Sequence, residues 1–146
     1  MRFSILPLLP LLSFAMISPL YAETINVPGD HATIQAAIDA ANDGDEILVA
    51  SGTYEETLFP GTKSLTIRGS VGEDGVPTTE VISKNDSAIR LYDNESEDLL
   101  FENLKLQGPS NWSLSRGGGF YCQDSQPTLR NCLFDSCTAL NGSYNY

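Results

Sequence analysis

The chain has 146 residues, with 8 Lys and Arg against 19 Asp and Glu and a formal net charge of −11. That length fits one modest domain. The acidity argues against nucleic acid and anionic membrane surfaces, whose phosphates are bound by Lys and Arg. A neutral sugar, a cation or another protein is the partner class left open.

The N-terminal segment reads as an export signal. Arg2 supplies a short positive region, Ile5 to Leu20 is apolar apart from two serines and three prolines, and Leu20-Tyr21-Ala22 ends on a small residue. This layout predicts a signal peptide over residues 1–22. Pro7, Pro10 and Pro19 interrupt the run, which is short for a spanning helix, and no second apolar run of that length follows. Loss of Arg2 leaves 7 basic and 19 acidic residues, so 7 − 19 gives a net charge of −12. The expected location is secreted or cell-surface, meaning periplasm or outer membrane in a Gram-negative host, with no membrane span after cleavage.

Residues 23–45 form the next predicted unit. Ile25-Asn26-Val27 is strand-like and is stopped by Pro28-Gly29. Thr33 to Asn42 is the one convincing helix, because Ile34, Ala37, Ile38 and Ala41 recur on a single face. Thr33 suits an N-cap, and Gly44 suits a left-handed position at the helix end. So small a one-sided helix needs an apolar surface to cover.

From residue 46 to 146 short strands alternate with turns. Glu46 to Ala50, Gly52 to Glu56 and Ser64 to Gly69 come first, followed by a Gly- and acid-rich loop at Gly72 to Pro77. An internal repeat then emerges. Leu65 to Gly69, Leu99 to Asn103 and Pro127 to Asn131 align, putting Ile67, Phe101 and Leu129 in one apolar column. Arg68, Glu102 and Arg130 form an outward column of alternating charge. Gly69, Asn103 and Asn131 form a turn column of residues that tolerate left-handed backbone, and stacked Asn103 and Asn131 are placed for an amide ladder. Leu104 then matches Cys132, and Leu106 matches Phe134. A second alignment sets Ile89 under Phe120, Leu91 under Cys122 and Asp93 under Asp124.

Strands with only one apolar side cannot each bury it alone. Stacking successive layers about 4.8 Å apart, in parallel, makes a continuous core. The expected fold is therefore all-β, a parallel β-helix solenoid with a short N-terminal capping helix. A β-sandwich explains no repeat near 30 residues. Gly142 to Tyr146 aligns with Gly118 to Cys122, so the winding is expected to halt inside a strand, as in a truncated or partial chain.

Thr33 to Ala41, Asp43 to Val49 and Gly52-Thr53-Tyr54-Glu55-Glu56 together resemble the opening of pectin-lyase-like right-handed β-helix proteins. That resemblance spans residues 25 to 137 and implies a right-handed winding whose helix covers the N-terminal end of the core. Gly117 to Cys122, with Ser125 to Cys132, is similar to the glycine-and-cysteine repeats of bacterial surface proteins. It also resembles the polymorphic outer-membrane proteins, although Phe134-Asp135-Ser136-Cys137 carries Cys where their second motif has Asn.

The resemblance implies two functional classes. One is an exported scaffold, adhesin or glycan-binding surface, which is the leading expectation. The other is the N-terminal part of a polysaccharide lyase or hydrolase, which would call for clustered carboxylates on one face, with Ca²⁺ (under the lyase reading) or an Arg to offset charge on the sugar acid. Asp93 and Asp124 stack at a strand end, but aspartate favours turns without any chemistry. Arg68, Glu102 and Arg130 read more simply as a solvent-exposed ladder. His31 beside Asp30 precedes the helix with no nucleophile near it, and Glu55 and Glu56 receive no role. No catalytic, cofactor-binding or metal-ligating residue is assigned. Cys122, Cys132 and Cys137 are too poor in neighbouring His for a zinc site. Cys122 and Cys132 are expected in inward columns, as buried thiols or as a disulfide. Asn85, Asn94, Asn111 and Asn141 begin Asn-x-Ser/Thr sequons, which matter only in a host that glycosylates exported chains.

Overall fold

The computed structural model describes residues 21–92, 98–109 and 118–137. The signal-peptide assignment therefore lies almost wholly outside the described residues. So do Asp93, three of the four sequons and the segment from 138 to 146.

Short strands follow from the chain's punctuation by Gly, Pro, Asn and Asp, which stop each one after three or four residues. In chain order they are β1 (Thr24–Val27), β2 (Glu46–Val49), β3 (Gly52–Tyr54), β4 (Thr66–Arg68), β5 (Thr79–Ile82) and β6 (Ile89–Tyr92). Then come β7 (Leu100–Glu102), β8 (Leu104–Gln107), β9 (Phe120–Gln123), β10 (Thr128–Arg130) and β11 (Leu133–Asp135). The helix α1 (Ile34–Ala40) lies between β1 and β2. The strands assemble into a five-stranded sheet in the order β1-β2-β4-β7-β10, a four-stranded sheet β11-β8-β5-β3 and a pair β6-β9. Every pairing between these strands is parallel.

The expectation of an all-β, right-handed β-helix solenoid is corrected by this arrangement: the fold is three parallel sheets of unequal size with one short helix. The physical reason lies in uneven loops. Glu46 pairs with Thr66, 20 positions on, whereas Thr66 pairs with Leu100, 34 positions on. The third sheet holds only two strands, to which Leu58 adds a single bridge at Ile89. A uniform repeating turn is therefore not the description these strands support.

The core follows from register. Ile25, Ile47, Ile67, Phe101 and Leu129 stand side by side across the five-stranded sheet. Tyr54, Val81, Leu106 and Phe134 do the same across the four-stranded one. Ile47, Ile67, Phe101, Val81 and Leu106 are fully buried, and burial of each such side chain stabilises by about 1.5–3 kcal/mol. Phe101 also meets Phe120 edge to face, with centroids 6.2 Å apart.

β5 is absent from the predicted segments because Thr79 occupies an inward position and breaks the apolar alternation. Thr79 is fully buried, yet satisfied. Its Oγ1 accepts from the Ser70 N–H at 2.8 Å, and its hydroxyl faces the Val49 and Ala50 carbonyls at 3.2 and 3.1 Å. A polar group with those partners avoids the penalty of dry burial.

The helix is shorter than predicted. Thr33 caps its start, its side chain accepting from Ala36 N–H at 3.1 Å. It ends at Ala41, whose backbone is extended, so Gly44 sits in the following turn with φ 91° and not at the helix terminus. Ile34, Ala37 and Ile38 are its buried face. Two side chains from the β3–β4 connection hold it. The Glu56 carboxylate accepts from Ile34 and Gln35 N–H at 3.0 and 2.8 Å, and Lys63 Nζ donates to the Ile38, Asp39 and Ala41 carbonyls at 2.7–3.0 Å. A carboxylate at the helix start and an ammonium at its end both oppose the helix dipole.

The corner between the two larger sheets is built by asparagine. Asn103 and Asn131 adopt left-handed backbone, φ 59° and 47°. The Asn131 Nδ2 donates to Asn103 Oδ1 at 2.9 Å and to the Gly75 carbonyl at 3.1 Å, which ties the 72–77 loop onto the ladder. Gly69 shares the column for a different reason: a Cβ there would overlap the Asn103 carbonyl and crowd Thr79.

The cysteine expectations need correction as well. All three thiols are free, and Cys122 and Cys137 are exposed. Phe120-Tyr121-Cys122-Gln123 grades from half-buried to exposed, and among the described residues β9 pairs with β6 alone. Only Cys132 is half-buried, and burial pushes its thiol up.

Candidate functional site

The most organised surface is the outward face of the five-stranded sheet. Alternation along each strand sends Glu46, Thr66, Arg68, Leu100, Glu102, Thr128 and Arg130 to that face, since their neighbours Ile47, Ile67, Phe101 and Leu129 point inward. Parallel register aligns Glu46, Thr66, Leu100 and Thr128 in one row, and Arg68, Glu102 and Arg130 in the next.

The charged row is joined by ion pairs. Arg68 Nη1 reaches Glu46 Oε1 at 2.7 Å, Arg68 Nε reaches Glu102 Oε2 at 2.7 Å, and Arg130 Nη1 reaches Glu102 Oε1 at 3.3 Å. The three residues aligned in sequence do meet, and Glu46 is a fourth member that the repeat alignment missed. It enters diagonally from the neighbouring row, which a column-by-column comparison does not detect. The Glu102 side chain is only 14% exposed. Hydrogen bonding from Arg68, reinforced by Arg130, holds its carboxyl below the usual range. A carboxylate so fully paired stays ionised and fixed, a poor state for moving a proton.

The row of Thr66, Leu100 and Thr128 floors an open groove of about 640 Å³. Asp43, Gly44, Ser64, Leu65, Asp98 and Arg130 complete the lining. The rim is held by backbone: Asp43 Oδ1 accepts from Ser64 N–H at 2.9 Å, and Gly44 N–H donates to the Ser64 carbonyl at 2.7 Å. The groove thus offers hydroxyls, the aliphatic Leu100 in its floor and the charged side chains of Asp43, Asp98 and Arg130.

A second ladder crosses the four-stranded sheet. Lys105 Nζ lies 2.9 Å from Glu80 and 3.0 Å from Asp135. Hydrogen bonding to Glu80, then Asp135, raises the Lys105 ammonium, and Lys105 in turn lowers Asp135. On the third side Arg90 contacts Asp86 and lies over the Phe59 and Tyr92 rings, 5.5 and 4.9 Å from their centroids.

The remaining sequence candidates are not gathered into a site. Asp30 accepts from Asn26 N–H and Nδ2 at 2.7 and 3.1 Å, which lowers its carboxyl and makes it a turn residue beside a half-exposed His31. Glu55 pairs with Lys84 at 2.6 Å. Asp124 has left-handed backbone, φ 49°, after β9, and its proposed stacking partner Asp93 is outside the described residues. Among the described residues no group of three or more His, Cys, Asp or Glu side chains gathers to hold a metal, and no helix is long and apolar enough to cross a membrane.

Comparison with known protein families, with curated proteins and with solved structures finds no match.

Proposed function

We propose that the chain is an exported module that binds polysaccharide on the outward face of its five-stranded sheet, serving as a secreted or cell-surface scaffold or adhesin. The observation that carries this reading is the groove floored by Thr66, Leu100 and Thr128 in register. The Thr66 and Thr128 hydroxyls flank Leu100 on one face of the sheet, presenting two donor–acceptor groups that hydroxyls along an extended sugar chain can meet. Leu100 supplies the apolar patch on which a pyranose face rests, and a few placed polar groups then set orientation. The leader layout of residues 1–22 and the pectin-lyase-like signature of residues 33–56 support an extracellular, glycan-facing role. A net acidic surface favours neutral over anionic polymers.

The test is calorimetric titration of the protein with neutral and acidic polysaccharides. Saturable binding is expected, weakened about tenfold in T66A/T128A, equivalent to about 1.4 kcal/mol. Absence of binding to every polymer, or binding unchanged in that variant, refutes the assignment. Release of unsaturated product from polygalacturonate with Ca²⁺ would replace it with the lyase reading.

A further inference from the structure

The export reading puts a cleavage point at the Ala22–Glu23 bond, and the nitrogen on its far side already has a partner. Tyr21, Ala22 and Glu23 are exposed, and β1 starts at the next residue. Glu23 N–H donates to Asp45 Oδ1 at 2.8 Å, while the Glu23 carbonyl accepts from Glu46 N–H at 2.8 Å. Asp45 is 3% exposed, and its second carboxylate oxygen accepts from Asn42 N–H at 2.7 Å. Its own carbonyl accepts from Thr66 N–H at 3.1 Å. One buried carboxylate thus sits where the start of β1, the turn after α1 and the start of β2 meet.

Within an intact chain the Glu23 nitrogen is a neutral amide with one proton to donate. Hydrolysis by a leader peptidase adds water across the Ala22–Glu23 bond. Ala22 leaves as a carboxylate, and Glu23 keeps its nitrogen as a primary amine that takes up a proton at neutral pH. The same atom then carries a full positive charge and three donors, already seated on Asp45 Oδ1. Water screens such a partly buried pair much less than an exposed one.

From this we propose that removal of residues 1–22 frees an α-ammonium on Glu23 that pairs with Asp45, so that export processing itself fastens β1 to the end of α1. The inference rests on the export reading and gives Asp45 a role that the groove does not require. Other charged groups around the pair are Lys63, whose charge acts on Asp45, the Glu23 side chain, and Asp30 with His31 in the adjoining pocket. Asp43 and Glu46 flank Asp45 in the chain, bound to Ser64 N–H and Arg68 respectively.

The test expresses the full sequence in a secreting bacterial host and reads the N-terminus of the exported product by mass spectrometry. Glu23 is the expected first residue. Its α-amino group, followed through the Glu23 Cα resonance, should titrate at about 9 or above, against about 7.7–8.0 for an unpaired terminus. D45N removes the partner and leaves the other charges in place, so its terminus should titrate in the ordinary range. Selective acetylation restores an amide N–H at that nitrogen, as in the uncleaved chain. It should lower the wild-type melting midpoint at neutral pH by about 4 °C or more and leave that of D45N unmoved. A pKa raised on folding contributes stability that is full below the unfolded value and is lost as pH rises through the folded one, so the acetylation effect should fade toward about pH 10. A product that begins elsewhere, or no exported product, overturns the export reading and the pair with it. A Glu23 terminus that titrates in the ordinary range leaves the export reading standing and overturns the pair alone.

Discussion

Replacing Asp45 by Asn tests how the N-terminal unit is fastened to the sheets. Asp45 is 3% exposed, and its two carboxylate oxygens accept from Glu23 N–H at 2.8 Å and Asn42 N–H at 2.7 Å. Burial pushes this carboxyl up, but the Glu23 and Asn42 bonds together with the charge of Lys63 outweigh it, and the net shift is downward from 3.8. Asn retains one acceptor and turns an NH2 group toward the other backbone N–H. One charge-assisted bond is lost and a buried donor is left facing a donor, so D45N should cost about 1.5–3 kcal/mol at neutral pH. For a domain of this size that is roughly a 5–10 °C fall in midpoint. The pH dependence has a definite sign. A carboxyl lowered on folding contributes stability above its unfolded pKa and loses it as pH falls through the folded value. The gap between wild type and D45N should therefore be full at about pH 7, begin to shrink as pH falls toward the unfolded carboxyl value of 3.8, and close as pH passes below the lower folded value. Urea melts of both proteins across that range measure it. A gap that stays constant with pH, or no gap at neutral pH, would refute the account of Asp45 as an ionised clasp.

Other substitutions probe the remaining links. Phe101→Ala removes a fully buried ring between Ile67 and Leu129 and should cost about 3–5 kcal/mol in the same melts. Lys63→Met deletes three contacts to carbonyls at the end of α1 and Glu56→Gln weakens two at its start. Each should cost about 1–2 kcal/mol and raise hydrogen exchange across residues 34–41 before the sheets respond. Gly108→Ala would drive a Cβ into the Gly118 carbonyl, so β9 should lose protection from proteolysis while β1 and β2 keep theirs. Arg68→Met leaves Glu102 with Arg130 alone and should cost about 1 kcal/mol, which about 1 M salt should reduce but not abolish, because the Glu102 side chain is only 14% exposed and partly buried pairs are screened less.

The strand register was legible from the chain itself. Ile67, Phe101 and Leu129 share a column because parallel stacking sets like positions side by side, and the likeness of Thr66-Ile67-Arg68 to Thr128-Leu129-Arg130 records that constraint. Asn103 and Asn131 announce left-handed corners for the same reason, since few side chains tolerate positive φ. The Thr33 cap and the apolar face of α1 were also readable, as both depend on neighbours within one helical turn. Tertiary structure alone decided the rest. Thr79 sits inward because Ser70, Val49 and Ala50 come together around its hydroxyl, and no local pattern foretells three partners from two other segments. Glu56 and Lys63 find their role only when the β3–β4 connection passes beneath α1. Glu46 joins Arg68 across a diagonal, and Cys122 is exposed in β9, which among the described residues pairs with β6 alone. The division of the strands into sheets of five, four and two depends on loop lengths that vary without changing the inward columns. Local periodicity fixes which face of a strand is apolar; only the packed chain determines how many such faces meet.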